Sequence, residues 1–171
     1  ALAFGATTAA IAQAPAAPPP IWKQGMPASM AESPLAPHAG KMTVTSATDI
    51  PIDRIKLPPG FKVEVWATGL PGGRAMARGD DGKIYVGTRA IGRVYEVTDA
   101  GGQRTVRTVV DKLNQPAGVA FRNGALYVMA INKALRFDGI EKNPGVAPVD
   151  MTAAFKLPPL EHHNWKYIAF G

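Results

Sequence analysis

The side chains with the widest chemical range in this sequence are three histidines: His38, His162 and His163. His162 and His163 adjoin in the run Leu160-Glu161-His162-His163-Asn164-Trp165, just ahead of a strand-like stretch. A neutral imidazole near pH 7 suits proton abstraction from a hydroxyl. On extended backbone, adjacent side chains point to opposite sides, so one of the two faces any shared cavity. A solvated loop pair and a single general base are both open readings of this spacing. Zinc is poorly served: there is no HExxH, no Cys and no third spaced ligand. His38 lies in a proline-rich stretch and reads as solvated.

Other chemistries are thinly represented. With no cysteine in 171 residues, disulfide scaffolds, thiolate metal sites and cysteine nucleophiles are excluded. There is no G-x-S-x-G nucleophile elbow. Gly101-Gly102 runs into Gln103-Arg104 rather than Lys-Ser/Thr, so it makes no phosphate loop. Gly69, Gly72 and Gly73 lack the order of a dinucleotide fingerprint. Asp80-Asp81-Gly82, lying between strands, reads as a hairpin turn rather than a calcium loop. The two basic and two acidic residues of 1–52 cancel, so the net charge of +6 sits in the remainder. There the basic residues are scattered, with no run of five and no interleaved aromatics. This describes a basic soluble surface, and no nucleic-acid partner is expected.

The elements that must position such residues are short strands. The 18 Gly and 16 Pro oppose long helices and favour frequent turns. Alternation predicts strands over 61–66, 83–87, 93–98, 105–110, 118–121, 125–130 and 134–137, with a smaller one at Ala75-Met76-Ala77. Residues 151–155 suit one helical turn. A repeat is visible: Asp81-Gly82-Lys83-Ile84-Tyr85-Val86 answers to Asn123-Gly124-Ala125-Leu126-Tyr127-Val128, so Tyr85 and Tyr127 are 42 residues apart. A period near 42 with four short antiparallel strands per unit is the signature of β-propeller blades. The expected fold class is therefore all-β, a β-propeller with about its first two blades here. Ile168-Ala169-Phe170-Gly171 matches the lead-in Val119-Ala120-Phe121, so a third unit is expected to begin there.

Ahead of that domain, residues 1–14 are small, apolar and uncharged. They resemble the back half of a secretory signal peptide, with cleavage expected after Ala12. This predicts a periplasmic or secreted protein with no stable membrane insertion after cleavage. Residues 15–52 are rich in Pro and Ala and read as an extended arm without regular structure. The fold is expected to begin near Asp53 and to occupy 53–171.

The run from Ile55-Lys56-Leu57-Pro58-Pro59-Gly60-Phe61 through Gly118-Val119-Ala120-Phe121-Arg122-Asn123-Gly124-Ala125-Leu126-Tyr127-Val128 resembles the glucose/sorbosone dehydrogenase family. Leu135-Arg136-Phe137-Asp138-Gly139-Ile140-Glu141 fits its L-sorbosone dehydrogenase-like branch. The resemblance covers about residues 50–171. It implies a six-bladed propeller when complete, and oxidation of a sugar or sugar-derived substrate with pyrroloquinoline quinone (PQQ) as cofactor. An electron acceptor is implied as partner. Calcium is implied too, with its ligands and the basic cofactor residues beyond Gly171. In His163-Asn164-Trp165-Lys166-Tyr167-Ile168-Ala169-Phe170-Gly171, the family pattern selects His163 over His162 as general base. Gln115, in the loop before the Gly-x-Ala-Phe strand, is the implied cofactor contact, with a plain turn residue as the other reading. Arg89 matches a family arginine, with a structural role the better reading. Trp165-Lys166 departs from the glucose-oxidising branch, which puts glucose specificity in doubt. The piece alone is expected to be inactive. A lactonase-like propeller hydrolase and a non-catalytic propeller are the alternatives.

Overall fold

The computed structural model describes residues 43–157 and 166–171. These residues are mostly β. Two four-stranded antiparallel sheets, each a simple meander, carry the architecture. The first contains β1 (Gly73–Arg78), β2 (Ile84–Thr88), β3 (Val94–Ala100) and β4 (Gln103–Val110). The second contains β5 (Gly118–Arg122), β6 (Ala125–Met129), β7 (Ala134–Asp138) and β8 (Val149–Asp150). One helical turn, α1 (Thr152–Phe155), follows β8.

Turn chemistry sets the hairpins. Ala100 pairs with Gln103 across Gly101-Gly102, and Arg122 pairs with Ala125 across Asn123-Gly124. All four turn residues have positive φ, which two-residue hairpins need to match the strand twist. Gly and Asn bear that conformation at least cost.

The repeat read from the sequence is a repeat in space. Tyr85 pairs with Ala77 and Glu96; Tyr127 pairs with Ala120 and Arg136. Each tyrosine thus sits on the second strand of its own sheet, opposite an alanine of the lead-in strand. Successive side chains on a strand alternate between faces. Tyr85, Val94 and Val110 therefore leave the first sheet on one side. They meet Val119, Leu126, Val128, Leu135 and Phe137 of the second, with Ile140 beyond it. The Tyr85 ring stacks on Phe121, centroids 5.6 Å apart and planes 6° from parallel. On the second sheet a phenylalanine again meets the matching tyrosine, but edge-on: Phe170 lies 4.9 Å from Tyr127 at 74°.

One charge lies inside this seam. Glu96 is fully buried, and its Oε1 accepts hydrogen bonds from Arg107, 2.6 Å from Nη2 and 2.8 Å from Nε. The Tyr85 hydroxyl donates to Glu96 Oε2 at 3.4 Å. Burial first, and then the Glu96 charge, pushes the Tyr85 phenol well above its ordinary pKa. Every oxygen of the buried carboxylate thus has a donor, which is what makes a buried charge tolerable.

The other face of the first sheet packs differently. Val86, Tyr95 and Val97 are covered by Ala67 and Leu70 from the preceding segment. Beside them an open groove of about 410 Å3 runs between Trp66, Met76, Ala77, Arg78 and Ile84, and Met76 is 70% exposed. The strand expected over 61–66 is not formed. Residues 43–72 carry two short 3-10 turns, Ala47–Asp49 and Ile52–Arg54, and the first ladder begins at Gly73. The alternation of Phe61, Val63 and Val65 is real, but among the described residues that stretch has no ladder partner, and Phe61 is 69% exposed. In the opposite sense, β8 escaped the periodicity argument because two residues cannot display a period. The expected arm falls mostly in residues outside those described.

A polar clip closes the seam at the hairpin end. Asp81 N–H donates to Glu141 Oε1 at 3.0 Å, and Gly124 N–H donates to Asp80 Oδ2 at 2.9 Å. The Lys83 ammonium bonds the Asp81 carboxylate and reaches the Glu141 carbonyl at 3.3 Å. Burial, with the neighbouring Asp81 and Asp80 charges, raises the Glu141 carboxyl above its ordinary 4.5. Burial acts on Asp81 in the same sense, but the bonds from Lys83 outweigh it and hold that carboxyl below 3.8. The signs are opposite. A raised carboxyl pKa means that the folded state holds the proton more tightly, so stability falls as pH climbs above 4.5. The Asp81 contribution is instead lost as pH drops below 3.8. Glu141→Gln is therefore expected to flatten the decline in stability on the alkaline side of pH 4.5 and leave the acid limb in place. Denaturant midpoints across a pH series read this directly; an unchanged alkaline slope would refute it.

Candidate functional site

Antiparallel pairing divides the loops between two ends. The starts of β1 and β3 and the ends of β2 and β4 share one end, and the second sheet repeats the arrangement. That end carries loops 89–93, 111–117 and 130–133, together with α1 after β8. The hairpin turns and their clip lie at the other.

Backbone bonds tie these loops together across the seam. Leu113 N–H donates to Gly92 O at 3.1 Å, Thr88 N–H to Pro116 O at 3.1 Å, and Ile131 N–H to Asn114 O at 3.0 Å. Gly87 is required by this closeness, since a Cβ there would stand 2.5 Å from the Pro116 carbonyl oxygen. Thr88, fully buried, accepts the Arg93 N–H at 2.9 Å and donates to the Arg93 carbonyl at 2.7 Å, closing loop 89–93.

Loop 111–117 holds two non-glycine residues with positive φ, Lys112 at 60° and Gln115 at 50°. Such conformations cost on the order of 1–3 kcal/mol each and persist only where surroundings over-determine them. Here the surroundings are visible. Asp111 Oδ1 accepts the Lys112 N–H at 2.8 Å and an Arg93 Nε–H at 3.3 Å. The Lys112 N–H first, and then the Arg93 guanidinium, hold the Asp111 carboxyl below its ordinary value. Gln115 O accepts the Ala117 N–H at 2.7 Å.

Gln115 is half-buried, and its Oε1 accepts from Arg89 Nε at 3.4 Å. The structure thus brings together the two residues that the sequence assigned to separate loops. Lys166 enters the same end: its Nζ donates to Ile131 O at 3.1 Å, and burial lowers its pKa. Its own carbonyl lies against Gly118, where a Cβ could not fit. Sequence reasoning treated Lys166 only as a departure from a family pattern. A lone lysine carries no spacing signal, and its placement depends on β5 and loop 130–133. His163, like His162 and His38, lies outside the described residues.

The end is rich in donors: the Arg89 guanidinium, the Gln115 amide, the Lys166 ammonium, and the exposed Lys112 and Lys133. The described carboxylates near these loops are already engaged, Asp111 by Arg93 and Asp150 by the Thr152 N–H at 2.8 Å. Guanidinium, ammonium and amide donors are groups that pair well with anionic oxygens. Among the described residues no group of three or more His, Asp or Glu side chains is arranged to hold a metal ion, and no helix is long and apolar enough to cross a membrane. Compared with protein-family models and with curated proteins, the sequence matches none.

Proposed function

We propose that the two sheets are successive blades of a β-propeller, six-bladed when complete, and that their loop end forms part of a PQQ site in an exported sugar dehydrogenase. The blade reading is supported by the repeated seam contact, Phe121 on Tyr85 and then Phe170 on Tyr127. A face that packs on its successor in this way can propagate around an axis, burying each sheet against the next. The functional reading rests above all on one observation, the meeting of Arg89 with Gln115 at the loop end.

The residues present fit the cofactor. PQQ is a planar quinone bearing carboxylates, and Arg89, Gln115 and Lys166 offer a guanidinium, an amide and an ammonium to such groups. When bound, it supplies the acceptor for a hydride from the substrate. Arg89, held by its bond to Gln115, orients the amide toward the ligand. His163 takes the proton from the substrate hydroxyl, a task matched to neutral imidazole. The substrate is a sugar or a sugar-derived alcohol or aldehyde, and the electrons pass to a separate acceptor. Calcium, if used, draws its ligands from elsewhere in the protein.

The test is an equilibrium titration with PQQ, followed by dye reduction with a panel of sugars. Arg89→Ala is expected to weaken PQQ binding by about tenfold to a hundredfold, as the loss of one charge-assisted hydrogen bond implies. Gln115→Ala should weaken it less. Unchanged affinity in both variants would remove the loop end from the cofactor site.

A further inference from the structure

At the hairpin end, the turn between β5 and β6 consists of Asn123 and Gly124, with φ of 51° and 75°. Asn123 is exposed, and nothing stands within 4 Å of where a Cβ on Gly124 would sit. Asparagine followed by glycine is the pair in which a backbone nitrogen reaches the preceding side-chain amide with least steric hindrance. Yet Gly124 is held on both sides. Its N–H donates across the seam to Asp80 Oδ2 at 2.9 Å, and its carbonyl accepts the Gly139 N–H at 3.0 Å. To attack, the nitrogen must give up the Asp80 bond and turn toward Asn123.

We propose that Asn123 is a deamidation site held closed by Asp80, and that opening of the sheet–sheet seam starts the reaction. Gly124 N bonds to Asn123 Cγ while the Cγ–Nδ2 bond breaks. The proton lost from the nitrogen departs with the amide group as ammonia, leaving a succinimide. Water then opens the ring to aspartate or isoaspartate, with no change of oxidation state. The product carries a new carboxylate beside Asp80, which is adjacent to Asp81 and the Glu141 contact. Like charges brought together raise the cost of keeping that clip closed. Each modified molecule therefore has a weaker seam than its parent, and the change is one-way.

The experiment follows modification at Asn123 by peptide mass spectrometry during warm incubation at neutral pH. Asp80→Ala is expected to deamidate about tenfold faster than wild type or more, the equivalent of one hydrogen bond to a charged group. Asp80→Asn should fall between them, because its amide oxygen still accepts. In strong denaturant the wild type and Asp80→Ala should react alike, and at least tenfold faster than the folded wild type. Equal rates in folded wild type and Asp80→Ala would overturn the proposal. A slower Asp80→Ala would also overturn it, since Asp80 would then be acting as a base that promotes attack. Should Asp80→Ala not fold, Asp80→Asn and the folded-to-denatured ratio of the wild type decide: a ratio near one refutes the guard.

Discussion

Replacing Tyr85 by Ala is expected to cost about 3–5 kcal/mol, the range for removing a large aromatic side chain from a packed interior. Tyr85 is wholly buried between the sheets. Its ring stacks on Phe121, and its hydroxyl reaches the buried Glu96. The substitution thus opens a cavity and also removes a donor from a carboxylate that water cannot reach. Small domains are stable by about 5–15 kcal/mol in total, so a loss of this size takes much of the margin. Tyr127→Ala is the control. Tyr127 holds the matching register position but is half-buried, meeting Phe170 edge-on. It is expected to cost clearly less. Urea midpoints at one pH compare the two, and a Tyr127→Ala loss equal to or above that of Tyr85→Ala would contradict the seam described above.

Under the proposed PQQ-dependent dehydrogenase function, in the complete protein, His163→Ala is expected to lower the chemical rate by about 10²–10⁴-fold, the usual loss when a general base is removed. PQQ affinity should barely change, because the proposed cofactor donors, Arg89, Gln115 and Lys166, remain. His162→Ala should do far less, since the family resemblance selects His163 rather than His162 as the base. Single-turnover reduction of bound PQQ by substrate separates the chemical step from binding and product release. Identical rates in the two variants would show that the wrong histidine has been chosen. A rate lost in both, together with weakened cofactor binding, would point to a structural role for the pair.

The sequence by itself determined what depends on near neighbours along the chain. Alternating side chains and turn residues located seven of the eight strands among the described residues to within a few positions. The Asp81-to-Val86 and Asn123-to-Val128 repeat placed Tyr85 and Tyr127 on corresponding strands. Hairpins are local objects: Asn123-Gly124 and Gly101-Gly102 specify theirs through φ alone. Gln115 could be named only through the family resemblance, and its contact with Arg89 was not legible in the sequence.

The tertiary structure decided whatever needs a partner distant in sequence. A strand exists only where another chain segment accepts its backbone bonds, so the alternation over 61–66 formed none, whereas the two residues of β8 paired with β7. Arg89 and Gln115 are 26 residues apart and meet because loops 89–93 and 111–117 are bonded through Gly92, Leu113, Thr88 and Pro116. Lys166 reaches Ile131 across 35 residues, and Glu141 reaches the Asp81 turn across 60. None of these meetings has a signature in spacing or composition. The Glu141 contact follows from how one face of the first sheet packs on the second, a choice fixed by the joint burial of Tyr85, Leu126 and Phe137 rather than by any of them alone, and the Lys166 contact from how the last described residues lie against β5 and loop 130–133.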